Sequence, residues 1–151
     1  MTTETLWFMD AELKILLSRG GTDDGLSIMQ HRMHGGFATP LHVHHDEDET
    51  FYVLDGDFRF QADDTVRDAS AGDVVHIPHG TTHSFRVLSP EGGRCLTLTR
   101  GGFEQMVREA SRPPLGRGMP ARVTEPTPAM VAELAAIATR NGIDLLGPPR
   151  V

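Results

Sequence analysis

The stretch GFATPLHVHHDEDETFYVLDG, residues 36–56, decides how the rest of the chain is read. It runs Gly36, five residues, His42, one residue, His44, four residues, Glu49, six residues, Gly56. Side chains alternate faces along a strand, so His42 and His44 point the same way. A turn over His45–Asp48 is expected to bring Glu49 back on the neighbouring strand, with Glu49, Phe51 and Val53 on one face. A second stretch, GDVVHIPHGTTHSFRV at residues 72–87, runs Gly72, five residues, Pro78, one residue, Gly80, two residues, His83. Here Pro78-His79-Gly80 turns the chain and His83 opens another strand. Three imidazoles and one carboxylate then converge. His42, His44, Glu49 and His83 suit one divalent transition metal per chain (Mn, Fe, Co, Ni, Cu or Zn), and the donor set does little to choose among them. Without a cation, such a buried cluster would carry a poorly compensated carboxylate, which is costly.

Outward from this core, short alternating runs are separated by turn residues. The expected strands are Leu13–Ser18, Leu26–His34, Thr39–His44, Thr50–Leu54, Phe58–Ala62, Thr65–Asp68, Asp73–Ile77, His83–Leu88 and Arg94–Thr99. Breaks such as Asp55-Gly56-Asp57 and Pro90-Glu91-Gly92-Gly93 carry turn chemistry. Many short strands with regular turns point to an antiparallel barrel or sandwich. After Arg100 the pattern changes. Gly101–Ser111 reads as a helix with Phe103, Met106, Val107 and Ala110 on one face. Arg112–Pro128, with five prolines, reads as an extended arm. Thr127 then caps a helix that begins at Pro128 and runs to about Arg140, with Met130, Val131, Leu134, Ile137 and Ala138 on one side. Ile143–Leu146 is an apolar tail, expected to cover the barrel or bridge a dimer. The organisation expected is therefore a barrel domain over 1–111, its motif core at 26–99, followed by an arm, a helix and a tail over 112–151.

The two spaced patterns resemble the two motifs of the cupin family. The first matches fully. The second departs at its last position, where Val87 stands in place of a frequent Asn that is not a metal ligand. The resemblance covers roughly Leu26–Thr99 and implies an all-β, antiparallel jelly-roll β-barrel, here with a short C-terminal helical extension, commonly dimeric. It implies a metal with one or two coordination positions left for water or substrate. The C-terminal portion, with GGFEQMVREA, a proline-rich arm, a helix and GIDLLGPP, is similar to bacterial single-domain cupins related to quercetin 2,3-dioxygenases. That likeness implies a dioxygenase on a flavonol-like or other enolisable aromatic substrate. Glu49 would serve there as both ligand and catalytic base. Two alternatives stand beside it: a metal-dependent isomerase, cyclase or lyase of a small metabolite, and a small-molecule-binding protein without catalysis.

Phe51, Phe85 and Met33 are candidates for the walls of a substrate pocket. His45 should face away from its neighbours. His31, His34, His76 and His79 have no assigned place. Asp46, Glu47 and Asp48 read as a solvated acidic loop. Trp7 and Phe8 are expected to pack on a partner strand or subunit.

The totals bound the rest. With 151 residues, 38% of them apolar, and with 16 glycines and 10 prolines, the chain fits one turn-rich domain. A net charge of −7 argues against nucleic acid or an anionic membrane as partner. Cys95 is the one cysteine, so no internal disulfide forms, and the cytoplasm is the expected compartment. No signal-peptide pattern opens the sequence. A small-molecule substrate and a homodimer complete the expectation.

Overall fold

The computed structural model describes residues 3–22, 24–123 and 125–151. Two antiparallel sheets face each other. Their strands are β1 (Glu4–Phe8), β2 (Ala11–Leu17), β3 (Ser27–Met33), β4 (Leu41–His44), β5 (Glu49–Asp55), β6 (Phe58–Ala62), β7 (Thr65–Ala69), β8 (Val74–Ile77), β9 (His83–Val87), β10 (Gly93–Thr99) and β11 (Ile143–Gly147). One sheet has the order β1-β2-β3-β10-β5-β8 and the other β11-β4-β9-β6-β7. Strict alternation in β10, where Gly93, Cys95, Thr97 and Thr99 are buried and the residues between them are not, shows one face turned inward. Between the sheets lie Leu13, Met29, Phe51, Val53, Phe58, Phe60, Phe85 and Val87. Val87, at the position where the second motif departs, is part of this apolar packing at 1% exposure. A polar side chain there would need a partner that its neighbours do not supply.

The motif glycines have a backbone reason. Gly56 and Gly80 adopt φ of +82° and +80°, a region open to glycine without strain. Gly56 turns the chain from β5 in one sheet to β6 in the other, and Gly80 sets the turn before His83.

Several expectations are corrected. The return of Glu49 on the strand beside His42 and His44 does not occur. β4 pairs with β9 and β11, whereas β5 pairs with β10 and β8 in the other sheet. Residues 45–48 therefore cross between the sheets, and the motif clasps the barrel from both sides. A strand also precedes the first one expected: β1 pairs with β2 through Leu6↔Leu13 and Phe8↔Ala11. The indole of Trp7 donates to the Gly118 carbonyl at 3.1 Å, and the Arg112 guanidinium lies 5.7 Å from its ring, so the arm of the same chain covers it. The apolar tail is β11, and its Ile143 and Leu145 sit opposite His44 and His42 of β4.

Two helices follow β10. α1 (Phe103–Ala110) buries Phe103, Met106 and Val107. α2 (Pro128–Arg140) begins as the sequence suggests, the Thr127 hydroxyl accepting from the Met130 N–H at 3.1 Å. Only its second half packs: Ile137 and Ala138 are buried, while Met130 and Val131 are exposed. The apolar face expected to run from Met130 is thus used over little more than one turn, against α1 and β11. α1 and α2 approach closely at Gly102, where a Cβ would collide with the Asn141 carbonyl. No helix among the described residues is long and apolar enough to cross a membrane.

Candidate metal centre

His42 and His44 project from β4 into the barrel, His83 is the direct cross-strand partner of His42 on β9, and Glu49 enters from the opposite sheet. One ligand atom from each of the four lies within 4.8 Å of the others. His44, Glu49 and His83 are 2%, 3% and 1% exposed, and His42 is half-buried. The rings of His42 and His83 stand 4.2 Å apart.

Each imidazole is held by its Nδ1. His42 Nδ1 donates to the Pro40 carbonyl at 2.7 Å, His83 Nδ1 to the Thr81 carbonyl at 2.9 Å, and His44 Nδ1 faces the Glu47 carboxylate at 3.3 Å. This arrangement fixes the tautomer and turns Nε2 toward the centre, as metal-bound histidines require. His83 Nε2 lies 3.1 Å from Glu49 Oε2 and His44 Nε2 lies 2.9 Å from the same oxygen. The second contact is not aligned as a hydrogen bond, which leaves His44 Nε2 a buried polar atom without a partner. A neutral imidazole whose proton is on Nδ1 offers Glu49 only a lone pair. The contact becomes attractive when a proton or a cation stands between them. These donors fit a divalent transition ion.

The electrostatics express the same need. Burial disfavours charge on His42, and His83 beside it adds to this, so its pKa falls to about 3. Burial also opposes charge on His44, but the Glu49 carboxylate, with Glu47 behind it, outweighs burial and lifts the pKa to about 10. Glu49 is driven up by burial and down by His44 and His83, and the imidazoles win: it stays well below the usual carboxylate range. Without metal the site therefore holds an ion pair between His44 and Glu49.

Beside the ligands lies a cavity of about 50 Å³. Phe51 and Phe85 border it, together with Phe8, Phe37, Phe103 and Met106, while Leu134, Ile143 and Leu145 close it from α2 and β11. Met33, expected in its wall, is not there. It packs at the far end of the barrel, beside the Gly92-Gly93 turn. His45 faces outward and pairs with Asp144 at 2.8 Å. His76 and His79 are also exposed, both near Asp48, and His34 binds the Pro120 carbonyl.

Two residues of the site were not singled out by the sequence. Glu47 is not part of a solvated loop: it is 5% exposed. Its Oε1 accepts from the Gly101 N–H and its Oε2 from the Phe103 N–H, both at 2.9 Å, so one carboxylate anchors the start of α1 and orients His44. Nothing in DED distinguishes it from Asp46 and Asp48, because the two backbone N–H groups that hold it lie more than fifty residues away. His31, buried on β3, borders the cavity, stacks on Phe103 with an interplanar angle of 6°, and places Nε2 2.8 Å from Thr97 Oγ1. Burial lowers its pKa to about 4.

Residues 29–99, just under half the chain, match the family model described as a cupin domain. The chain is 28% identical over 107 residues to quercetin 2,3-dioxygenase of Bacillus subtilis (strain 168). That alignment takes in 71% of this chain and 32% of the relative, so the chain spans about a third of that enzyme. Among solved structures, KdgF from Halomonas sp. is similar with TM-score 0.53 and 25% identity, over 60% of this chain and 81% of that one. A predicted oxalate decarboxylase from Thermotoga maritima shares the fold with TM-score 0.58 at 24% identity, over 66% of this chain and 92% of that one.

Proposed function

Proceeding from a chain whose residues 29–99 are a cupin domain resembling that of quercetin 2,3-dioxygenases, we propose a metal-dependent oxygenase acting on a compact, largely apolar enolisable or aromatic hydroxy compound. The observation that carries this reading is the cavity wall. His42, His44 and Glu49 form one end, and nearly every other lining side chain is hydrocarbon; no Lys or Arg is among the described lining residues. A sugar phosphate or a dicarboxylate would leave its charge without a cationic partner there. A ring bearing a hydroxyl suits both ends: carbon against Phe51 and Phe85, oxygen toward the ligands.

Size narrows the class further. Pockets for drug-sized molecules run to roughly 300–1,000 Å³, against about 50 Å³ here. A cavity that holds one benzene ring measures about 150 Å³, so any ring enters here only as lining side chains move aside. A single ring carrying a hydroxyl beside a carbonyl asks less of them than a flavonol.

A bound divalent ion would supply Lewis acidity and, if redox-active, an electronic path between substrate and dioxygen. The protein supplies the rest. The apolar walls exclude water and hold the ring, and Glu49 takes the substrate hydroxyl proton. Glu49 is a weak base while His44 and His83 stand against it; engaging those nitrogens elsewhere restores its basicity. With a net charge of −7, neither nucleic acid nor an anionic membrane is its partner in this reading, and a cytoplasmic homodimer is part of it.

Oxygen uptake by protein loaded in turn with Fe, Mn, Co, Ni or Cu tests this. Catechol, a 3-hydroxy-4-pyranone and quercetin serve as substrates. Uptake with a monocyclic compound is expected. Saturable binding with no uptake under any metal would sink the oxygenase and leave an isomerase, a lyase or a binding protein.

A further inference from the structure

Outside the metal ligands, the cavity has one side chain with a nitrogen that no hydrogen bond among the described residues engages. Outside the metal ligands, its polar lining residues are Thr39 and His31. The Thr39 hydroxyl accepts from the Phe85 N–H at 3.0 Å. His31 is 7% exposed, and its Nε2 is engaged by Thr97 Oγ1. Its Nδ1 has no hydrogen-bond partner among the described residues, and it is not one of the fully enclosed orphan atoms, so what access it has is through the cavity.

The Thr97 hydroxyl settles which nitrogen carries the proton. Thr97 is 1% exposed, and His31 is its side chain's one partner among the described residues. If Nε2 carried the proton and donated it, the Thr97 hydroxyl proton would be buried with no acceptor, at a cost typical of an unmade hydrogen bond. If the hydroxyl donates to Nε2, both groups are satisfied and the ring proton is on Nδ1. The Phe103 ring lies parallel to the imidazole, 6.1 Å between centroids.

We propose that His31 is a substrate-binding residue, its Nδ1–H donating to a carbonyl or enolate oxygen of a ligand whose hydroxyl lies at His42, His44, Glu49 and His83. This rests on the enolisable-substrate reading above and sharpens it. The ligand carries two oxygens, one for the metal end and one acceptor for His31, and compounds lacking the second bind less well. A neutral donor suits this role, because it stabilises developing charge on the substrate oxygen without placing a buried cation near the metal.

The test uses zinc-loaded protein, so that no oxidation intervenes, and a 3-hydroxy-4-pyranone as the probe. Nitrogen NMR of the histidines should show His31 protonated on Nδ1; protonation on Nε2 overturns the assignment. Calorimetric titration should give a Kd raised about tenfold in His31→Phe, the loss typical of one neutral hydrogen bond, with metal content unchanged. His31→Gln, which retains a donor, should lose less. Thr97→Val leaves the cavity intact and frees the tautomer, so it should weaken the probe in wild type but not in the His31→Phe background. Should His31→Phe fold poorly, that contrast is read in His31→Gln. Equal affinity in wild type and His31→Phe overturns the role of His31 alone. Failure of metal-loaded wild type to bind the probe overturns the enolisable-substrate reading, and this assignment with it.

Discussion

Replacing Glu47 by Gln separates the metal centre from its support without touching a ligand. The carboxylate accepts from two backbone N–H groups and faces His44 Nδ1. An amide keeps the shape but has one acceptor oxygen, so one buried N–H at the start of α1 meets an NH₂ group instead. Leaving that donor unmade costs about 1–3 kcal/mol, and loss of the negative charge at the helix start about 0.3–1 kcal/mol more. A total near 2–3 kcal/mol corresponds to a fall in Tm of roughly 5–10 °C for a chain of this size. His44 meanwhile loses its anionic partner, for which metal affinity typically drops about 10–100-fold. Thermal melts of metal-free protein read the first effect. Competition against a chromophoric chelator reads the second. A variant whose melt shifts but whose metal affinity stays within twofold of wild type would refute the idea that Glu47 orients His44. An unchanged melt would refute the anchoring of α1.

Glu49→Gln should retain part of the metal yet lose turnover by about 10²–10⁴-fold, measured as oxygen uptake, since an amide is a poor base; unchanged turnover removes Glu49 from the proton transfer. Metal affinity should rise with pH. In the metal-free protein His44 holds its proton up to about pH 10, so uptake at neutral pH must expel it, and apparent affinity should climb about tenfold per pH unit until that value is reached. The same raised pKa means that charged His44 stabilises the metal-free fold at low pH and that this support is lost as pH passes through about 10. Calorimetry in two buffers of different ionisation enthalpy should show proton release on binding, and its absence would contradict the ion pair. Truncation of the cover, Leu134→Ala with Leu145→Ala, should enlarge the cavity and improve quercetin binding relative to a monocyclic probe; a preference left unchanged would place the size limit elsewhere.

The sequence was legible where its period and its turns were local. Strand alternation from β3 to β10 and the ligand spacings depend on residues within a few positions of one another, and both appear in the structure. The strands that escaped notice are short and flanked by weak signals. β1 and β2 are joined by Met9-Asp10 alone, and Met9 takes φ of 56° without being Gly or Asn, so Asp10 is the one turn signal there. β11 reads as an apolar tail until its pairing with β4 is known. Pairing across the barrel is likewise invisible in spacing: a four-residue connection from His44 to Glu49 fits a hairpin as well as a crossing between sheets. Glu47 reads as solvated and His31 has no assigned place for the same reason. Their partners, Gly101 and Phe103 for one and Thr97 for the other, come from distant parts of the chain.

Elemental analysis of protein purified without added metal or chelator, quantified per chain for wild type and His83→Ala side by side, tests the central claim most directly. The account predicts about one divalent transition ion per wild-type chain and much less in the variant, as a site built on four side chains requires. A wild-type protein that carries no metal and takes none up on addition, or a variant that holds as much as wild type, would contradict it.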